Sequence, residues 1–141
     1  MPEHAVTDDE IASCFDVMAE LRPHLERGRF VALIRSMQAD GFRLACIRAG
    51  GRVITVAGYR ISTNLVLGRN LYVDDLVTAD NERSQGHGQE LLRWLRGIAI
   101  ENHCRTLHLD SGVQRKRAHE FYLREGLELS SYHFSSRLNG R

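Results

Sequence analysis

The sequence predicts an α/β chain of the α+β type, with helices flanking a mixed, mostly antiparallel and twisted sheet. Three observations carry this. Two strand-patterned stretches meet at Gly50-Gly51, the composition of a two-residue antiparallel hairpin. From Leu71 onward the pattern runs strand, helix, strand, which implies a parallel pair joined by a right-handed crossover. The opening third carries apolar residues at helical spacing. At 141 residues, 43% hydrophobic and 26% charged, the chain has the size and composition of one globular domain, with no repeat, low-complexity tract or linker to divide it.

Taken in order, Thr7 and Glu10 have capping-box spacing, and Ile11, Phe15, Met18, Leu21 and Leu25 continue as an amphipathic helix that Pro23 should kink or end. A second helix runs through Phe30, Leu33, Ile34 and Met37 and stops at Gly41. Phe42 to Ser62 reads as the glycine hairpin, and Leu71 to Thr78 as a further strand. The loop ADNERSQGHG leads into the strongest helix, with Leu91, Leu92, Leu95, Ile98 and Ala99 on its stripe. RTLHLD is a short strand, Gln114 to Arg124 a helix ended by Gly126, and LELSSYHFSSRL alternates like one or two final strands. Frayed ends are expected over the first five or six residues and the last three, by their polarity and position.

The net charge of +1 leaves no global excess to draw the chain onto nucleic acid or an anionic membrane. No stretch has the length or apolarity of a membrane span, and the acidic start lacks the features of a secretory leader. Cys14, Cys46 and Cys104 are odd in number and widely spaced, poor material for a disulfide framework, so a cytoplasmic location is expected. His103, Cys104 and His108 lack the paired spacing of a zinc site, and no metal is expected. All nineteen basic residues except Lys116 are arginine, which suits bidentate phosphate contacts and also fits a compositional bias.

The most informative segment is LYVDDLVTADNERSQGHGQELLRWL, a strand, a glycine-bearing loop and a helix in immediate succession. Glycines let the main chain come close to a ligand, and the N–H groups of a first helical turn favour an anion. A Walker loop would need a Gly-Lys-Ser/Thr ending, and a dinucleotide fingerprint three glycines after the first strand; neither is present. Arg83-Ser84-Gln85-Gly86-His87-Gly88 instead resembles the Arg/Gln-x-x-Gly-x-Gly/Ala signature of the GCN5-related N-acetyltransferases (GNAT). Ala118, Phe121, Tyr122, Gly126 and Leu127 resemble that family's second element, with leucine in place of a final aromatic.

The resemblance implies a GNAT-like acyl-CoA N-acyltransferase fold over 1–141 and transfer of acetyl from acetyl-CoA, the co-substrate, to a primary amine by direct attack. By it, the main chain of Leu76, Val77 and Thr78 holds the pantetheine arm and the thioester oxygen. Pyrophosphate rests on Ser84, Gln85, Gly86, His87, Gly88 and Gln89, beside Arg83. Tyr122 stands where many members place the acid that protonates the departing thiolate, and a phenol of pKa about 10 suits that step. For a base, Asp75 shares a face with Leu71, Val73 and Val77 if the strand alternates regularly, and Asp74 lies opposite. Asp75 ranks first, Asp74 second, and a water chain remains open. Where the family often has asparagine, this chain has Arg115, followed by Lys116 and Arg117, a basic run at a helix start that an anion would offset. The acceptor is a small-molecule or peptide amine. Small amines, aminoglycosides, amino-acid termini and protein lysines all stay open, and analogy adds a homodimer. Asp8, Asp9, Glu10 and Asp16 could draw a cationic amine or simply favour their helix N-terminus. The competing reading is a non-catalytic acyl-CoA-binding or regulatory module.

Overall fold

The structure is a computed structural model that describes residues 1–139. These form two compact units, Met1–Leu109 and the part from Asp110 onward.

The first unit holds a five-stranded sheet in the order β1-β2-β3-β4-β5: β1 Pro2–His4, β2 Arg43–Ala49, β3 Arg52–Asn64, β4 Gly68–Thr78 and β5 Thr106–Leu109. The first four are mutually antiparallel, and β5 runs parallel to β4, so the mixed sheet expected from sequence is present. Gly50 and Gly51 both take positive φ, +59° and +77°, the conformation that a two-residue turn matched to strand twist requires. Helices α1 Asp8–Ser13, α2 Phe15–Leu21 and α3 Arg27–Gln38 precede β2, and α4 His87–Glu101 makes the crossover from β4 to β5.

Two apolar clusters lie on opposite faces of the sheet. Ile11, Phe15, Phe30 and Ile34 of the opening helices pack with Phe42, Leu44, Cys46 and Val56. Leu91, Leu95 and Ala99 of α4 pack with Ala45, Ile47, Ala57 and Tyr59. Leu44 and Ala45 thus serve different clusters, so β2 is covered on both faces and reads as an almost continuous apolar run.

The alternation of β4 breaks where it matters. Gly58 of β3 pairs with Asp75 and Tyr59 with Val73, leaving Asp74 as the extra residue of a β-bulge. Leu71 and Val73 consequently join the α4 cluster, while Val77 joins the cluster of α1–α3. The regular alternation that grouped Leu71, Val73, Asp75 and Val77 on one face does not hold. One inserted residue reverses the parity of everything after it.

Other departures are local. Thr7 forms the expected capping box with Glu10, but the first helix divides at Cys14, giving α1 and α2. Pro2–His4 is paired with Ile47–Ala45 rather than frayed. In the second unit α5 spans Lys116–Arg124 and ends before Gly126, whose φ is +89°. Residues 127–138 form no strand despite their pattern; Tyr132 and Phe134 are 78% and 91% exposed. Strand propensity is realised only against a partner strand, which the segment's own residues cannot specify.

Candidate functional site

β5 pairs with β4 only from Asn70 to Val73, and β4 then continues to Thr78. Along Asp74–Thr78 the strand has β3 on one side and no further described strand on the other. Ala79 N–H donates to Ile54 O at 2.8 Å, which fixes the alternation. The main-chain groups of Val77 turn toward β3, and those of Leu76 and Thr78 toward the open edge. A free strand edge of this kind offers N–H and C=O groups to an extended ligand.

The chain leaves this edge through a 3₁₀ turn, Asp80–Glu82, and reaches Arg83, which pairs with Asp80 at 2.9 Å and donates through Nε to Thr78 O at 3.4 Å. Ser84 has φ +67° and Gly86 +83°, so the loop coils tightly before α4 begins at His87. Gly86 is the N-cap and no side chain caps the helix. The first-turn N–H groups of His87 and Gly88, which a helix cannot satisfy internally, therefore open onto the loop. A Cβ built on Gly86 meets nothing within 4 Å, so there is room for a ligand against this turn. The cradle fits a pyrophosphate by its donor groups and by that space. Gln85 lies in the loop, and Gln89 in the first turn of α4.

Both candidate carboxylates sit at the bulge, and each meets an arginine. Asp75 accepts from Arg22 Nε at 2.9 Å, and Arg22, at the end of α2, also donates to Asp74 O at 3.1 Å. Asp74 accepts from Arg60 Nε at 3.1 Å, and that guanidinium lies 5.5 Å from the centre of the Phe42 ring. The other Asp74 oxygen, Oδ1, is buried and has no hydrogen-bond partner among the described residues. Burial pushes the Asp74 carboxyl above the ordinary aspartate range, with the Arg60 charge acting against it.

Tyr122 lies on α5 in the second unit, half-buried, its ring 5.3 Å from that of Phe121. Burial pushes its phenol above the usual value and Arg115 pulls the other way, so the hydroxyl keeps its proton at neutral pH. Arg115 is the N-cap of α5 and forms no side-chain cap.

A cleft of about 570 Å³ lies beside the end of β4, lined by Asp16, Val17, Glu20, Arg52 and Ala79 among others. Glu20 accepts from Asp80 N–H at 2.9 Å and so ties α2 to the loop. Asp8 is paired with Arg35 and Asp16 with Arg27, while Glu10 completes the capping box, so three of the four acids near the chain start already have structural partners.

Arg22, Arg60 and Phe42 have no sequence signature, because each acts through a partner distant in the chain. Gly58 does have one: an isolated glycine inside a strand marks a bulge or a close approach.

The acetyltransferase (GNAT) family matches residues 8–127. The chain belongs to that family. Its relatives include the uncharacterized N-acetyltransferase YhdJ of Bacillus subtilis, 29% identical over 128 residues, or 89% of this chain and 90% of the relative. The aminoalkylphosphonate N-acetyltransferase of Salmonella typhimurium is 33% identical over 66 residues, covering 47% of this chain and 43% of the relative. Among solved structures, the aminoglycoside N-acetyltransferase AAC(6')-Iy in complex with CoA superimposes with a TM-score of 0.85 at 14% identity, covering 99% of this chain and 95% of that one. A transcriptional regulator from Bacillus halodurans superimposes at 0.84 with 19% identity, covering 98% of this chain and 99% of that one. The superpositions show the GNAT fold, and the family match gives the chain its acyltransferase affiliation. No helix among the described residues is long and apolar enough to cross a membrane.

Proposed function

We propose that this GNAT chain binds acetyl-CoA along the open edge of β4 and the cradle before α4, and transfers its acetyl group to a primary amine. The observation that carries this reading is the continuity of the two features: five residues of unpaired strand edge, Asp74–Thr78, run directly into Arg83-x-x-Gly86-x-Gly88 at an uncapped helix start. An extended arm with a dianionic end fits an edge that hydrogen-bonds and a terminus that attracts anions.

In this mechanism the amine nitrogen attacks the thioester carbonyl carbon, and the C–S bond breaks as the C–N bond is completed. The outward N–H groups of Leu76 and Thr78, on either side of Val77, stabilise the charge that develops on the carbonyl oxygen. The loop residues Ser84 to Gln89, with Arg83, anchor the phosphates. The ammonium proton leaves toward the bulge. Of the two carboxylates there, Asp74 has the features of the base: one oxygen without a hydrogen-bond partner and a raised proton affinity. Asp75, held by Arg22, keeps the bulge in shape. By its place in the family's second element, Tyr122 gives its proton to the departing thiolate.

The amine enters through the cleft beside Asp16 and Glu20, a route consistent with a small or peptide-borne cation. The naming of relatives for aminoglycoside and aminoalkylphosphonate acceptors favours small amines first. Incubating the protein with acetyl-CoA and a panel of amines, and following free thiol, tests the reading. Amine-dependent thiol release is expected. CoA binding without release over any amine would instead identify a non-catalytic acyl-CoA-binding module.

A further inference from the structure

The sheet edge opposite β5 carries a second pocket that the acetyl-transfer reading does not use. It has a volume of about 410 Å³, and its walls include His4, Val6, Arg35, Gln38, Arg43 and Tyr59. We propose that this pocket binds a small oxyanion, a carboxylate or a phosphate monoester, between the Arg43 guanidinium and the His4 ring.

Arg43 and Tyr59 are cross-strand partners, and His4 pairs with Ala45, so all three side chains rise on the face that α4 covers. Arg43 donates to the carbonyl of its neighbour Phe42 at 2.9 Å and has no carboxylate at ion-pair distance among the described residues. Its fork is thus available for a bidentate contact. The wall includes no aspartate or glutamate.

His4 is held on two sides. Its Nε2 lies 2.6 Å from the Tyr59 hydroxyl, and its ring centre is 5.0 Å from that of Trp94. With the phenol as donor to Nε2, the ring proton sits on Nδ1, which is then a second donor for the anion. Arg35 forms the remaining cationic wall and is fixed by Asp8 Oδ1 at 2.8 Å, Val6 O at 2.9 Å and Gln38 Oε1 at 2.9 Å. An orientation set by protein contacts lowers the ordering cost that a ligand would otherwise bear. The charged and titratable side chains that line the pocket with His4 among the described residues are Arg43 on β2, Tyr59 on β3 and Arg35 on α3, the last paired with Asp8 of α1, while Trp94 of α4, beside the His4 ring, is uncharged. Partial burial and the Arg43 charge both push the imidazole below its ordinary pKa, a condition that a bound anion reverses.

The test is a titration of inorganic phosphate, and separately of acetate, into the protein at constant ionic strength, with chloride as the reference salt. It is read on the His4 ring resonances, assigned by their loss in His4→Gln. A saturable shift with one anion and a rise in the His4 pKa are expected, and the two arms tell a phosphate from a carboxylate ligand. Arg43→Ala, at an exposed position, should weaken binding at least tenfold with an unchanged melting temperature. Arg83→Ala, in the proposed cradle at the other edge of the sheet, should leave the His4 titration as it was. A shift that rises linearly and equally with chloride overturns the proposal. So does undiminished affinity in Arg43→Ala, or loss of the His4 response in Arg83→Ala.

Discussion

Gly58 and Asp75 face each other across β3 and β4 with no room for a methyl group between them and the Phe42 ring. A Cβ on Gly58 would lie 2.4 Å from Phe42 Cζ and 2.8 Å from an Asp75 carboxylate oxygen. The contact sets where the bulge falls, because Gly58 is the residue opposite Asp75 and the next pair already skips Asp74. Gly58→Ala must displace a buried aromatic ring and a carboxylate held by Arg22, so it should destabilise the fold by about 1–3 kcal/mol. Chemical denaturation reads that loss. A variant as stable as the parent would mean that Phe42 moves freely.

The same bulge separates the two aspartates by role. Asp74→Asn should lower turnover by roughly 10² and remove the acidic limb of the pH–rate profile, with little effect on CoA affinity. Asp75→Asn leaves Arg22 without its charged partner and should chiefly lower stability and raise the acceptor KM. The pH profiles of the two variants decide the assignment. If Asp75→Asn loses the acidic limb and Asp74→Asn keeps it, the base is Asp75.

How far the sequence reaches is shown by these residues. The hairpin at Gly50-Gly51, the parallel crossover through α4 and the glycine-bearing loop before that helix are local patterns, and each is where the residues alone place it. The face of Asp75 was not legible. Alternation assumes one residue per step, and the bulge depends on a contact between Gly58, Phe42 and Asp75, sixteen or more residues apart in the chain. Arg22 and Arg60 stayed hidden for the same reason. Cys14 and Cys46, distant in sequence, lie in one buried cluster as thiols. At the chain end the opposite error occurs: 127–138 has strand composition without a paired strand.

Gly86 tests the cradle. Its φ of +83° strains any L side chain, and the space beside it is open, so a branched side chain there occupies room next to the first-turn N–H groups of α4. Gly86→Val should weaken CoA binding at least tenfold, as measured by calorimetry, at a stability cost of about 1–2 kcal/mol. Unchanged CoA affinity would move the phosphates elsewhere.

The Tyr122 phenol, ordinarily protonated up to a pKa of about 10, is pushed higher by burial, with the Arg115 charge acting the other way, so a proton is present on it at neutral pH. Removing the hydroxyl leaves the ring and its contact with Phe121 in place. Tyr122→Phe should therefore lower turnover by roughly 10² while CoA affinity and melting temperature stay near those of the parent. The defect should shrink with acyl donors whose thiol leaving groups are more acidic, since these need less help from a proton. Full activity in the variant would remove Tyr122 from the mechanism.

His4 predicts how stability depends on pH. Its pKa is lowered in the folded protein, by partial burial first and by Arg43 second. The unfolded chain, with a histidine pKa of about 6.5, therefore takes up the proton before the folded one does. The contribution of His4 to stability is complete above about pH 6.5 and is lost as pH falls through the lower, folded value. His4→Gln removes this dependence, so the stability difference between parent and variant should change between neutral and mildly acidic pH and then level off. Denaturant midpoints taken across that range in chloride, without phosphate or carboxylate buffers, supply the measurement. A constant difference across the range would show that the imidazole titrates alike in both states, and with it the Arg43 charge would not be felt at His4.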